Sequence, residues 1–167
     1  GITKLAAENL CRAYEANFGT PITILRYFSV YGPRQRPDMA YHILIKALLD
    51  GKTFPMFGDG EQTRSNTFVA DCVDATYRAA LHRDHSLSQV FNVGGGQIIS
   101  LNEVVTLLEE LTGRKASIDR KPARPGDQKH TAANIEKARK LLGYQPTTSV
   151  RDGLTREVEW IRATYGA

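Results

Sequence analysis

Apolar residues recur at four-residue spacing near the start of the chain: Ala6, Leu10, Tyr14 and Phe18 fall on one line, with Leu5 and Cys11 beside it. Such a stripe is one face of a helix, and Gly19 and Pro21 stop it. The pattern then becomes a near-continuous apolar run. Pro21 to Val30 carries Ile22, Ile24, Leu25, Tyr27 and Phe28, which predicts a strand buried on both faces, as in a parallel sheet. Tyr31-Gly32-Pro33 ends it in a loop. Tyr41 to Leu49 predicts a second helix stopped by Gly51, and Thr53 to Phe57 a short strand before the turn Gly58-Asp59-Gly60. Asn66 to Val69 reads as another short strand and Asp71 to Leu81 as a helix. Val90 to Val93 is a strand running into Gly94-Gly95-Gly96, which reads as a flexible turn. Ser100 and Glu103 form a capping-box pattern ahead of Val104, Val105, Leu108 and Leu111, so a helix starts at Ser100 and Gly113 ends it. Ala116 to Asp119 is a candidate strand. Ile135 to Leu142 is a helix with Asn134 as cap and Gly143 as stop, and Val150 to Tyr165 is the last helix.

Strands alternate with helices, so the class is α/β. A buried parallel strand needs neighbours on both edges and helices on both faces. The one other candidate of that kind is Gln89 to Val93, so the first 30 residues and that later strand look like part of a larger sheet. The chain shows no internal repeat, low-complexity tract or long linker, and its 167 residues suffice for a real core.

Composition narrows the function classes. With 41% hydrophobic and 24% charged residues the chain reads as soluble and globular. No apolar run is long enough to span a bilayer, and the opening residues read as a helix start rather than a signal peptide. Cys11 and Cys72 stand apart in no CxxC pattern and fall among helical residues, which predicts reduced, buried thiols and a cytoplasmic protein. Cys72, His42, His82, His85 and His130 show no metal-ligand spacing, so no metal is expected. Twenty-two basic against 18 acidic residues give a net charge of +4. The basic residues gather in three stretches, Arg34 to Arg36, Arg114 to Lys121 and Arg124 to Lys129, without an unbroken run of five or six like charges. Such a balance suits nucleic acid, a membrane surface or a small anionic ligand, and the lack of such a run argues against nucleic acid.

Several segments together resemble the extended short-chain dehydrogenase/reductases, and within them the NAD-dependent sugar-nucleotide epimerases and dehydratases. That family carries Tyr-x-x-x-Lys at a helix start. Here Gly1-Ile2-Thr3-Lys4 precedes Leu5-Ala6-Ala7-Glu8, so Lys4 stands at the lysine and the tyrosine would immediately precede Gly1. The run Leu25-Arg26-Tyr27-Phe28-Ser29-Val30-Tyr31-Gly32-Pro33-Arg34-Gln35 resembles the following strand and loop. Phe57-Gly58-Asp59-Gly60-Glu61-Gln62-Thr63-Arg64 resembles the substrate-binding turn. Phe91-Asn92-Val93-Gly94 with Ser100-Leu101, and Arg124-Pro125-Gly126-Asp127, match the last two landmarks in order. No strand is followed by G-x-G-x-x-G, the dinucleotide fingerprint. The resemblance therefore implies a carboxy-terminal piece: a remnant of a Rossmann-type parallel sheet plus the smaller substrate-binding α/β domain. Residues 1–32 would belong to the NAD-binding domain and 33–167 mainly to the substrate domain, with 89–95 returning to the Rossmann sheet.

The resemblance also implies roles. Hydride passes from C4 of a nucleotide-linked sugar to NAD while a tyrosinate takes the C4 hydroxyl proton. Lys4, one turn along the same helix face, would lower the phenol's pKa and hold the nicotinamide ribose. Phe28 matches a position on the nicotinamide side. Arg64 and Arg124 match two diphosphate-contacting arginines, whose planar forks suit phosphate oxygens. Asp127 matches a carboxylate accepting from ribose hydroxyls, and Phe57 a residue at the uracil face. Ser29 stands where many relatives have Asn or Thr near the phosphates. Arg36, in Arg36-Pro37-Asp38-Met39-Ala40, resembles the segment of UDP-uronate 4-epimerases in which an arginine faces the C6 carboxylate. Taken singly, each of these residues reads first as surface charge or core packing, and their joint placement in loops is what favours the functional reading; for Arg36 a solvated loop arginine stays open.

One segment departs from the pattern. Relatives usually continue after the turn's arginine with Asp-Phe-Thr-Tyr-Val-Asp-Asp; here Arg64 is followed by Ser65-Asn66-Thr67-Phe68-Val69-Ala70-Asp71. An apolar position has become Asn66, which leaves the packing behind Arg64 open. The expected function is the substrate-binding part of an NAD-dependent UDP-sugar 4-epimerase acting on UDP-glucuronate or UDP-glucose, homo-oligomeric, and inactive as these 167 residues alone. The rivals are a fragment of a related dehydratase or decarboxylase, and a non-catalytic nucleotide-binding or self-assembling module.

Overall fold

The structure, a computed structural model, describes residues 1–166. Helix α1 (Ile2–Phe18) stops at Gly19 in the left-handed conformation, φ 63°. Strands β1 (Ile24–Tyr27) and β2 (Val30–Tyr31) follow, then α2 (Ala40–Asp50) and β3 (Thr53–Phe57). Next come β4 (Thr63–Arg64), β5 (Thr67–Phe68), α3 (Val69–Leu81), α4 (Arg83–Ser86) and β6 (Val90–Val93). The rest is β7 (Ile99–Ser100), α5 (Leu101–Thr112), β8 (Ser117–Lys121), β9 (His130–Thr131), α6 (Glu136–Leu142) and α7 (Val150–Tyr165). The architecture is α/β, as the alternation of patterns predicts.

The strand expected over Pro21 to Val30 is two strands in two different sheets. β1 lies parallel to β6, Ile24 opposite Val90 and Tyr27 opposite Val93. β2 lies parallel to β5, Val30 opposite Thr67. The chain changes partner between them: Phe28 N–H donates to the Val93 carbonyl (2.9 Å), while the Ser29 carbonyl accepts from Thr67 N–H (3.0 Å). Nor is the run buried on both faces: Ile24 and Leu25 are half-buried and Arg26 and Tyr27 exposed, so hydropathy discloses neither the open face of β1 nor the break at Phe28–Ser29. β3 and β8 form a third parallel pair. The fourth sheet places β4 between β7, antiparallel, and β9, parallel.

Two apolar clusters form the core. The larger packs α2, α5, α7 and β3 around Leu44, Ile45, Leu48, Met56, Leu108 and Leu154. The smaller packs α3, α6 and β6 around Phe91, Val93, Ala138, Leu142 and Tyr144. α2 buries seven of its side chains, whereas α1 buries none. Leu5, Leu10, Tyr14 and Phe18, the stripe that predicts α1, are all exposed.

Local signals fared unevenly. The Ser100 capping box is present in both directions. The cap of α6 sits one residue further in than expected, at Ile135, yet the Asn134 side chain still serves the helix start, its Oδ1 accepting from Glu136 N–H at 3.0 Å. The strand expected over Asn66 to Val69 is only Thr67–Phe68, and Val69 already opens α3. Gly94-Gly95-Gly96 is a packed crossing rather than a flexible turn. A Cβ on Gly95 would stand 1.9 Å from the Asn66 carbonyl oxygen, and one on Gly94 2.2 Å from the Ala133 Cβ. Both thiols are free and half-buried rather than buried. No described helix is long and apolar enough to cross a membrane.

Candidate functional site

A groove runs along the carboxyl ends of β2 and β3 and over β4. Its inner part, a hollow of about 210 Å³, is lined by Ser29, Gln35, Tyr41, Gln62, Arg64 and Asn66, among others. Its outer part, about 380 Å³, is lined by Phe57, Asp59, Gln62, Arg64, Arg124 and Asp127, among others. Gln62 and Arg64 line both, so the two hollows adjoin, with Arg64 at the waist between them. A third hollow of about 320 Å³ opens beside the inner part, shares Tyr31, Gln35 and Met39 with it, and is lined by Arg34 and Arg36.

Arg64 is held by its strand. β4 is the middle of three, and the guanidinium donates from Nη1 to the Thr63 and Lys129 carbonyls, at 2.8 and 3.2 Å. Backbone carbonyls orient a guanidinium without neutralising it, so its charge remains available to an anion. Phe57 closes β3, and the Arg124 guanidinium lies over its ring, 3.7 Å from the centroid. Arg124 stands in the segment between β8 and β9, where Asp127 N–H donates to the Arg124 carbonyl at 3.2 Å, bringing the two residues into one turn with Gly126 at φ 87°. The turn after Phe57 needs its glycine: Gly60 has φ 84°, and a Cβ there would stand 2.1 Å from Asn102 Oδ1. Asn102, in the first turn of α5, fixes that turn by donating to the Asp59 carbonyl at 3.1 Å.

The loop between β2 and α2 carries the remaining arginines. Gly32 N–H donates to Glu157 Oε2 at 3.0 Å, and Gln35 ties the loop to both neighbouring elements, donating to the Val30 carbonyl (3.0 Å) and accepting from His42 N–H (3.1 Å). Glu157 is fully buried on α7, and its Oε1 has no hydrogen-bond partner among the described residues. Burial pushes its carboxyl up to about 8, against the opposing Gly32 hydrogen bond, so it is mostly the neutral acid at pH 7. Arg36 is three-quarters exposed and sits 3.4 Å from Asp38, a loose ion pair at the surface.

The residues after Arg64 explain the departure noted in the sequence. Ser65 donates from Oγ to the Gly95 carbonyl at 2.6 Å, and Asn66 Nδ2 donates to Tyr41 Oη. An apolar residue is therefore replaced by a polar one that has a partner.

Of the residues singled out in the sequence, the structure gathers Ser29, Phe57, Arg64, Arg124 and Asp127 along the groove and puts Arg36 in the adjoining hollow. It does not bring Lys4 or Phe28 to these hollows: Lys4 is exposed on the first turn of α1, and Phe28 is half-buried where β1 gives way to β2. Sequence reasoning missed Tyr41, Asn66, Gln35 and Glu157. Tyr41 and Glu157 sit on the apolar faces of their helices, and only the unusual polarity of Asn66 pointed toward the pair it makes. No cluster of three or more His, Cys, Asp or Glu placed to hold a metal occurs among the described residues.

Residues 1–94 match the model of the NAD dependent epimerase/dehydratase family. The chain is 46% identical over 165 residues to the uncharacterized UDP-glucose epimerase YtcB of Bacillus subtilis (strain 168), covering 99% of this chain and 52% of that one. It is 38% identical to the UDP-glucuronate 4-epimerase of Thermodesulfobacterium geofontis (strain OPF15), covering 95% and 48%. Its fold superposes with a TM-score of 0.95, at 45% identity, on the crystal structure of a UDP-glucuronic acid 4-epimerase from Bacillus cereus in complex with UDP-glucuronic acid and NAD, covering 98% and 52%. The chain spans about half the length of the curated relatives it matches.

Proposed function

This chain belongs to the NAD-dependent epimerase/dehydratase family, and on that premise we propose that it is the carboxy-terminal, substrate-binding part of a UDP-sugar 4-epimerase with a preference for UDP-glucuronate. The observation that carries the reading is the groove with Arg64 at its waist. An aromatic face and a carboxylate stand at one end (Phe57, Asp127), cations in the middle (Arg64, Arg124), and a hollow lined by Ser29 and Gln35 at the other. A nucleoside diphosphate sugar has that same order of parts: base and ribose, two phosphates, pyranose. Arg124 would leave the Phe57 face as the phosphates arrive, exchanging a cation–π contact for charge-assisted hydrogen bonds, the stronger of the two.

In this reading residues 1–32 and 89–95 belong to the cofactor-binding unit and the rest of 33–167 to the substrate unit. The parallel pairing of β1 with β6 supports that grouping. NAD, when bound, supplies a hydride acceptor for the sugar's C4. The residues present fit one edge of such a cofactor: Phe28 stands at the carboxyl end of β1, where ligands of α/β sheets sit, and the exposed Lys4 ammonium is free to reach a ribose. The pyrophosphate-cradling turn is not among these residues. Arg36 would turn from Asp38 to the C6 carboxylate of a uronate. We also place the protein in the cytoplasm as a homo-oligomer, in keeping with its free thiols and the exposed stripe of α1.

The test is calorimetry on the 167-residue chain. It is expected to bind UDP more tightly than NAD, and Arg64→Ala is expected to weaken UDP binding by about 1.5–3 kcal/mol, the range for charge-assisted hydrogen bonds. Tighter binding of NAD than of UDP, or an Arg64→Ala variant with unchanged UDP affinity, would defeat the reading. For the sugar, Arg36→Ala is expected to lower affinity for UDP-glucuronate and leave that for UDP-glucose nearly unchanged; equal losses would return Arg36 to a plain loop arginine.

A further inference from the structure

We infer that Tyr41 and Asn66 act as one specificity-determining pair, offering a hydrogen-bond donor to the sugar beyond the diphosphate; the inference rests on the nucleotide-sugar reading of the groove. Both residues line its inner part, on the far side of Arg64 from Phe57. A ligand whose base lies at Phe57 and whose phosphates lie at Arg64 therefore puts its next group, a pyranose, against this pair.

The protons decide what the pair offers. Asn66 Nδ2 donates to Tyr41 Oη. A phenol that accepts there keeps its own proton for another acceptor. If the carboxamide is turned over, the phenol donates to it and the Asn66 amide protons are the ones left. In both arrangements the pair carries a surplus donor, and among the described residues no side-chain hydrogen bond other than their mutual one involves either of them. Burial also raises the Tyr41 phenol far above its ordinary range, so it stays a neutral donor rather than a phenolate. Packing aims the ring: Tyr31 meets Tyr41 edge-on at 5.5 Å, and the Tyr41 side chain leaves the first turn of α2. Pyranose hydroxyl and ring oxygens are acceptors, and a polar pair lining a hollow discriminates because it is left unpaired when the matching group is not there. An apolar residue at Asn66 would remove the surplus donor in the carboxamide's turned-over form and free the phenol to rotate.

The test compares UDP, UDP-glucose and UDP-glucuronate by calorimetry on the wild-type chain, Tyr41→Phe and Asn66→Leu. Tyr41→Phe keeps the ring and its edge contact while removing both the phenol's proton and the partner that holds the Asn66 amide in place, so it weakens the offered donor in either arrangement and remains decisive even if Asn66→Leu folds poorly. The expected result is an unchanged affinity for UDP and a loss of roughly three- to tenfold for both UDP-sugars, the worth of one neutral hydrogen bond. Asn66→Leu is expected to lose in the same direction. Unchanged UDP-sugar affinity in Tyr41→Phe overturns the inference while leaving UDP recognition standing. Equal losses for UDP and for UDP-sugars also overturn it, since the pair would then serve the nucleotide. A wild-type chain that binds no UDP defeats the nucleotide-sugar reading and this inference with it.

Discussion

Helices α1 and α2 carry comparable apolar stripes and have opposite fates. In α2 the stripe is inside: Leu44 and Ile45 are fully buried, and α5, α7 and β3 close over it. In α1 the stripe of Leu5, Leu10, Tyr14 and Phe18 faces outward, and its tie to the rest of the chain is polar. Glu8 holds Arg26 on β1 through two short hydrogen bonds, 2.6 and 2.7 Å, and Glu15 Oε1 accepts from Ile22 N–H at 3.3 Å. Periodicity thus identifies a helix and its sticky face but not whether the same chain supplies the surface that face needs.

The sharpest way to break this comparison is truncation in each stripe. Leu44→Ala is expected to cost about 2–5 kcal/mol in denaturant unfolding, since it opens a cavity in a closed core. Leu10→Ala is expected to stay within about 0.5 kcal/mol, as for any exposed site. Equal losses would show that α1 is buried in solution, by this chain or a second copy.

A next test asks whether the α2–α7 side holds its polar groups as firmly as its apolar ones. Glu157 titrates near 8 in the folded chain and at about 4.3 when unfolded. A raised folded value means that its contribution to stability is complete below the unfolded pKa and is lost as pH rises through 8. Wild type is therefore expected to lose a few kcal/mol between about pH 5 and pH 9, and Glu157→Gln to show a flatter profile and greater relative stability at pH 9. His42, whose pKa burial lowers, contributes stability that is lost as pH falls rather than as it rises, so it opposes the expected loss. Tyr31 and Tyr41, which burial raises, titrate above it. Coincident profiles for the two proteins would mean that Glu157 is ionised and solvated.

Smaller effects sharpen the picture. Ser100→Ala removes the reciprocal cap of α5 and is expected to cost about 1 kcal/mol by thermal unfolding. Leu10→Ser with Tyr14→Ser is expected to leave folding stability nearly unchanged but to shift sedimentation toward the monomer. No change in sedimentation would mean that the α1 stripe mediates no self-association.

The same contrast explains what the sequence disclosed. Helices and their stops were legible because capping and glycine chemistry are local: Ser100 with Glu103, Gly51 and Gly113 all act within a turn of themselves. The groove's landmarks Phe57, Arg64, Arg124 and Asp127 were legible through resemblance, since no local rule distinguishes them from surface residues. Strands β4, β7 and β9, two residues each, were not legible, because each exists only through its partners. Gly94 and Gly95 misled for a related reason: a glycine required by a distant backbone looks, in sequence, like a glycine required by a turn.

The placement of β4 has a consequence in time. Arg64 acquires its position only when Ile99 and Thr131, both far downstream in the sequence, have reached it from its two edges. Such remote pairings form slowly, because the intervening chain must lose its freedom before any contact rewards it. The helices are expected to appear early in refolding, with the Arg64 waist of the groove among the last features to mature. Recovery of UDP binding after dilution from denaturant would then lag behind the recovery of helical circular dichroism.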